Sequence, residues 1–136
     1  MLDHALELAI CAVLKADHQL GGIHFFTALD GDAHKLPAVT VVSKSESLAG
    51  SAEVFRAEVE LRIESHANDT TPGEHAARAG RIRALLAAKA DMLAALNASG
   101  SVQVCGYVIS SSAQEAGDEK FLTTITLKTG YRVPAN

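Results

Sequence analysis

The sequence has no tryptophan, three prolines and two cysteines among its 136 residues, and aromatic side chains make up only 4% of it. Two cysteines cannot form the dense disulfide framework of a small secreted scaffold. At this length folding buries roughly 68% of the unfolded surface, so neither disulfides nor a structural metal is required to complete a core. No apolar run approaches the ~18 residues of a membrane-spanning helix, and no membrane partner is expected. Charge of one sign is also missing. Twelve basic residues against 16 acidic ones leave a net charge of −4, with both signs mixed along the chain. That balance speaks against a general nucleic-acid binder, which needs a basic face.

What is present is apolar and small. Hydrophobic residues make up 48% of the chain and charged ones 21%, which excludes a disordered polymer. Alanine alone accounts for 24 positions, so elements can approach closely. A single domain spanning residues 1–136 is expected. The start, Met1-Leu2-Asp3-His4-Ala5-Leu6-Glu7, carries acids where a secretory signal has Lys or Arg, so a cytoplasmic protein is expected. Cys11 and Cys105 are then read as buried, reduced thiols, and the triplets beginning at Asn68 and Asn97 as irrelevant to glycosylation.

Periodicity supplies the elements. Leu2, Leu6, Ala9, Ile10 and Val13 form one stripe of an N-terminal helix, with Leu8, Glu7 and Lys15 off it. Strands are expected over Ile23 to Leu29 and, after Leu36-Pro37, over Ala38 to Val42; the serine-rich stretch Ser45 to Ser51 reads as a loop. From Val54 to Glu64 the alternation is strict: Phe55, Ala57, Val59, Leu61 and Ile63 fall on one face, and Arg56, Glu58, Glu60, Arg62 and Glu64 on the other. Thr71-Pro72-Gly73-Glu74 is a capping box that opens one long helix, whose stripe is Ile82, Leu85, Leu86, Leu93 and Leu96. Strands are expected again from Val102 to Ile109 and from Glu119 to Val133, joined by a loop from Ser110 to Asp118. Strands joined by short loops pair antiparallel as a rule. The pattern therefore predicts an α+β fold, an α/β sandwich of one mixed, largely antiparallel sheet of about five strands with two flanking helices, in the order α-β-β-β-α-β-β.

The search for chemistry yields little. Histidines 4, 18, 24, 34, 66 and 75 show no zinc spacing and read as surface or loop residues, so no metal site is expected. No Gly-x-Ser-x-Gly elbow and no phosphate-cradling glycine loop occurs, and no catalytic residue or cofactor is expected. Asp30-Gly31-Asp32 reads as a tight turn rather than a calcium loop. Arg78, Arg81 and Arg83 form a modest basic patch, read as a solvated face or ion pairs before phosphate contact. Lys89 falls in the leucine stripe, so its amine either snorkels out or meets a glutamate of the third strand. The charged face of that strand, Arg56 to Glu64, is the best functional candidate: it either faces solvent or forms a subunit interface or channel lining.

The element order, the Leu36-Pro37-Ala38-Val39-Thr40-Val41 strand, the long alternating strand, the capped helix and the two closing strands resemble the tail terminator proteins of long-tailed bacteriophages. The likeness covers nearly the whole chain and rests on size and pattern, since that family has no invariant chemical motif. It implies a non-enzymatic protein that forms a homo-hexameric ring on the head-proximal end of the tail tube. Such a ring halts polymerisation of the tail tube protein and meets the head connector or head completion protein. DNA passes through its lumen without specific binding, for which an acidic lining would be suited. The implied location is the neck region of the virion tail, after assembly in the host bacterial cytoplasm. The resemblance places Arg56, Glu58, Glu60, Arg62 and Glu64 at the subunit interface or lumen. It assigns Ser45, Glu46 and Ser47, and Gln114, Glu115 and Asp118, to loops that contact the tube or connector.

Two other classes remain open at this level. One is a small α/β enzyme or ligand-binding module with a pocket between sheet and helices, into which His24 or Tyr107 would face. The other is a nucleic-acid module using Arg78 and Arg81, which would need a surface aromatic platform.

Overall fold

In the computed structural model, residues 2–30, 35–49, 54–117 and 119–132 are described. Helix α1 (Leu2–Lys15) leads through a short 3-10 turn into β1 (His24–Thr27), followed by β2 (Ala38–Ala49) and β3 (Val54–His66). Helices α2 (Pro72–Ala87) and α3 (Lys89–Asn97) come next, and β4 (Gln103–Ala116) and β5 (Lys120–Arg132) close the chain. All five strands form one mixed sheet in the order β1-β2-β3-β5-β4. The α+β class holds, with three helices where two were expected.

β3 is the central strand, and its alternation sets the layers. Ala57, Val59, Leu61 and Ile63 are buried and join Val39 and Val41 of β2 and Ile125, Leu127 and Tyr131 of β5. Onto that face α1 brings Leu6, Ile10 and Leu14, α2 brings Ala79, Ile82 and Leu86, and α3 brings Met92 and Leu96. α1 lies against β1 and β2, α2 against β3 and β5, and α3 against β4. The even-numbered side of β3 faces away from this layer, and no described helix covers it. No described helix is long and apolar enough to cross a membrane.

Several expectations are corrected. The single long helix is two, because Ala88 leaves helical geometry at φ −80, ψ 67. The break re-aims the second half, so Met92 and Leu96 are its buried pair and Lys89 is exposed, its amine 5.9 Å from the centre of the Tyr107 ring. No β3 glutamate reaches Lys89. The stretch Ser45 to Ala49 is not a loop but the second half of β2, paired antiparallel with Val54 to Glu58. Likewise Ser110 to Ala116 continues β4, paired with β5 from Phe121 to Thr126. Serine-rich composition misled because a long hairpin partner supplies the ladder whatever the local propensity. β1 pairs with β2 in parallel, not antiparallel. The ten residues between them are long enough to run back to the start of the sheet.

The capping box forms as expected. The Thr71 hydroxyl accepts from the Glu74 amide at 3.1 Å, the Glu74 carboxylate accepts from the Thr71 amide, and Pro72 opens the helix.

Candidate functional site

The open face of the sheet gathers the predicted charged residues. Along β3 the side chains of Arg56, Glu58, Glu60, Arg62 and Glu64 point to the side without helices, held there by the alternation of the strand. Glu60 accepts an ion pair from Lys44 of β2 at 2.6 Å and lies 3.9 Å from Arg62. Glu64 pairs with Lys120 of β5 at 2.8 Å, and Glu58 stands opposite Lys128 in the register. Glu64 is buried beneath its partners, Arg56 is exposed, and the other three lie between. Thr40 also lies on this face; it is 4% exposed, and its hydroxyl meets no hydrogen-bond partner among the described residues. The face is thus of mixed sign rather than acidic, with three glutamates of β3 set among Arg56, Arg62, Lys44, Lys120 and Lys128. The lysine of each pair is about half exposed, so screening by water keeps the contribution to about 0–1 kcal/mol each, and their value is in ordering charge rather than in stability.

The residues assigned to contact loops sit in strands. Ser45, Glu46 and Ser47 pair with Glu58, Ala57 and Arg56, while Gln114 and Glu115 pair with Thr123 and Leu122. Asp118 lies outside the described residues. The two groups lie toward different ends of β3: Ser45 to Ser47 stand beside Glu58 to Arg56, and Gln114 and Glu115, through Thr123 and Leu122 of β5, beside Ile63 and Glu64. At ~3.4 Å per residue, the five to eight β3 positions between them correspond to roughly 17 to 27 Å along the strand.

Elsewhere the structure organises polar groups that sequence reasoning placed differently. His75, expected at the surface, is buried, because it lies one turn into α2 on the face that meets the sheet. Its Nδ1 is 2.9 Å from Ser65 Oγ and its Nε2 2.9 Å from Thr123 Oγ1. Arg78 also donates to Ser65 Oγ at 3.2 Å, so the serine oxygen is shared between the ring and the guanidinium. Burial, and next the Arg78 charge, hold the imidazole below its usual range. A serine beside a histidine has the outline of a nucleophile and its base, yet Ser65 and Thr123 are both fully buried and no carboxylate orients the ring. What this cluster does is tie α2 to β3 and β5. The odd-numbered position of Ser65 in β3 was the signal that it faces inward.

The arginine patch is dispersed. Arg81 forms a two-bond pair with Asp17 at 2.7 and 3.0 Å, Arg78 serves Ser65 and Thr70, and Arg83 donates to Ser112 at 2.8 Å. The Arg81 bonds hold the Asp17 carboxyl below the ordinary carboxylate range. Glu7, read as off the apolar stripe, is 1% exposed and accepts from the amides of Ala28 and Ser43. Cys105, expected to be buried, is exposed on β4. Asp30 caps β1 by accepting from the amide and hydroxyl of Thr27; Gly31 and Asp32 of the expected turn lie outside the described residues. Tyr107 is buried and donates its hydroxyl to the Leu86 carbonyl, while His24 is exposed in a surface cleft with Lys15 and Lys35. Among the described residues no group of three or more His, Cys, Asp or Glu could hold a metal ion.

Compared with models of known protein families and with curated proteins, the chain matches none.

Proposed function

We propose that this protein is a structural component of a bacteriophage or prophage tail: a terminator that caps the head-proximal end of the tail tube as a homo-hexameric ring. In this reading it stops addition of tail tube protein and offers the joint to the head connector or head completion protein. The observation that carries the proposal is β3, a 13-residue strand that builds the core with one side and holds a register of paired charges on the other. A fixed pattern of charges on an uncovered sheet face favours those alignments of identical neighbours that set opposite charges together over those that oppose like charges. Arg56, Glu58, Glu60, Arg62 and Glu64 then lie at the subunit interface or lumen. The hairpin ends at Ser45 to Ser47 and at Gln114 and Glu115 suit contacts in two directions, one towards the tube and one towards the connector. DNA passes through the lumen without specific binding; mixed rather than acidic charge serves this by leaving little net field. The ring requires no cofactor.

The test is reconstitution. Added to polymerising tail tubes and viewed by negative-stain electron microscopy, the protein is expected to form a six-fold ring at one tube end and to stop elongation. A protein that never joins tubes at any concentration, yet gains thermal stability with a small metabolite, would establish the ligand-binding reading instead. Inside the core the gap lined by Leu6, Ile10, Leu86, Met92 and Tyr107 is about 10 Å³, space for one water molecule at most. The place left for a ligand is an open cleft of about 330 Å³ between α2 and the β4–β5 strands, beside His75, Gln114 and Phe121.

A further inference from the structure

The sheet has two edges, and the fold treats them differently. β1 is four residues long; its Thr27 amide is taken by the Asp30 carboxylate at 2.7 Å, and Lys15 and Lys35 stand beside it. Short length, a blocked amide and nearby lysines are the usual protections of an exposed edge. β4 is 14 residues long and, among the described residues, is protected only at its start. There Asn97 acts as a substitute strand: its Oδ1 accepts from the Val104 amide at 2.7 Å and its Nδ2 donates to the Val104 carbonyl at 3.2 Å. From Val108 to Ala116 every side chain is exposed, and among the described residues no side chain bonds the backbone N–H or C=O groups of this run. The run holds one charged residue, Glu115, and no proline. A register shift at Ser110 leaves Ser111 to Ala116 as its regular part.

We propose that this edge pairs with the same edge of a second copy, antiparallel about a twofold axis at Ala113, joining two five-stranded sheets into one of ten. The occupant follows from complementarity: the regular, uncapped run offers main-chain donors and acceptors, and a second β4 offers the same ladder in reverse. A twofold axis normal to the sheet keeps each face in register, so opposed residues must share a face. Centred on Ala113, Ser111 opposes Glu115 on the open face and Ser112 opposes Gln114 on the helix face, while the two Glu115 side chains never meet. The paired strand residues therefore set no like charges directly opposite one another. Such a contact is isologous and does not propagate around a ring. It belongs to the free protein before assembly, and stands whether or not the tail reading does.

Sedimentation velocity across a concentration series, without tail components, is expected to show a monomer–dimer equilibrium. Ser111→Glu sets a carboxylate opposite Glu115 twice per dimer and should weaken association roughly ten-fold, whereas Ser111→Lys should strengthen it. Near-ultraviolet circular dichroism checks that both variants are folded. On a Cys105→Ser background, Ala113→Cys should form an intermolecular disulfide under mild oxidation and Gln103→Cys should not. A protein that is monomeric at every concentration reached overturns the proposal. So does any dimer or larger assembly that is indifferent to both Ser111 variants and fails to cross-link at position 113.

Discussion

The Glu7 carboxylate on α1 accepts a hydrogen bond from the backbone amide of Ser43 on β2, Oε2 to N at 2.8 Å. Its other oxygen takes the Ala28 amide at 3.1 Å, beyond the end of β1. The Ser43 bond comes where the β2–β3 register shifts between Ser43 and Ser45. The irregular ladder and the 3-10 turn after β1 both release amides that a buried acceptor must satisfy. One acid on the helix serves both.

Replacing Glu7 by Ala leaves both amides unsatisfied in a dry environment and should cost about 3 kcal/mol of stability, measured by urea unfolding. Glu7→Gln keeps one carbonyl acceptor and should cost clearly less. Equal losses for the two variants would show that packing volume, not the bonds, is what Glu7 provides.

His75 makes stability depend on pH. Burial, reinforced by Arg78, depresses its folded-state affinity for protons below the unfolded value near 6.5. The unfolded chain therefore binds more protons in this window. The contribution is complete above about pH 6.5 and is lost as pH falls through the lower folded-state value. His75→Ala should be less stable at neutral pH and should lose this part of the slope. Urea midpoints from pH 7.5 down to 5 check it, and a slope unchanged in the variant would assign the effect to another group.

The two thiols should differ sharply in reactivity. Burial, with the Glu7 charge second, pushes Cys11 up to about 12, and its Sγ donates to the Phe26 carbonyl at 3.6 Å. Cys105 is exposed. Brief treatment of the native protein with iodoacetamide at neutral pH should modify Cys105 and spare Cys11, as read by peptide mass spectrometry. Labelling of Cys11 at a comparable rate would mean that α1 opens readily from the sheet.

Reversing one charge on the open face separates stability from assembly. Glu60→Lys sets three cations together with Lys44 and Arg62. Because these groups are partly solvated, thermal stability should change by only about 0.5 kcal/mol. Capping of tail tubes should fall steeply, and Lys44→Glu in the same chain should restore part of it. Full capping activity in Glu60→Lys would remove this face from the ring contact.

The β3 pattern was legible because period-2 alternation is a property of neighbouring residues, and burial follows it from Ala57 to Ile63. The capping box was legible for the same reason: Thr71, Pro72 and Glu74 act within one turn. The extensions of β2 and β4 were not, since Ser45 to Ala49 and Ser110 to Ala116 are strands only through the ladders of their partners. The break at Ala88 was hidden in an alanine-rich stretch that favours helix on both sides. His75, Glu7 and Asn97 were invisible as functional groups because their partners are 7 to 48 residues away.

The chain by itself determined which residues could be core, where α2 begins, and that β3 has one apolar and one ionic side, because all of these depend on spacing along the backbone. Tertiary structure alone decided that all three helices share one side of the sheet, that β1 runs parallel to β2, and that β4 has an edge capped at one end and open at the other. Those outcomes depend on which distant segments can satisfy each other's amides and cover each other's apolar surface at the same time, and no local window contains both partners.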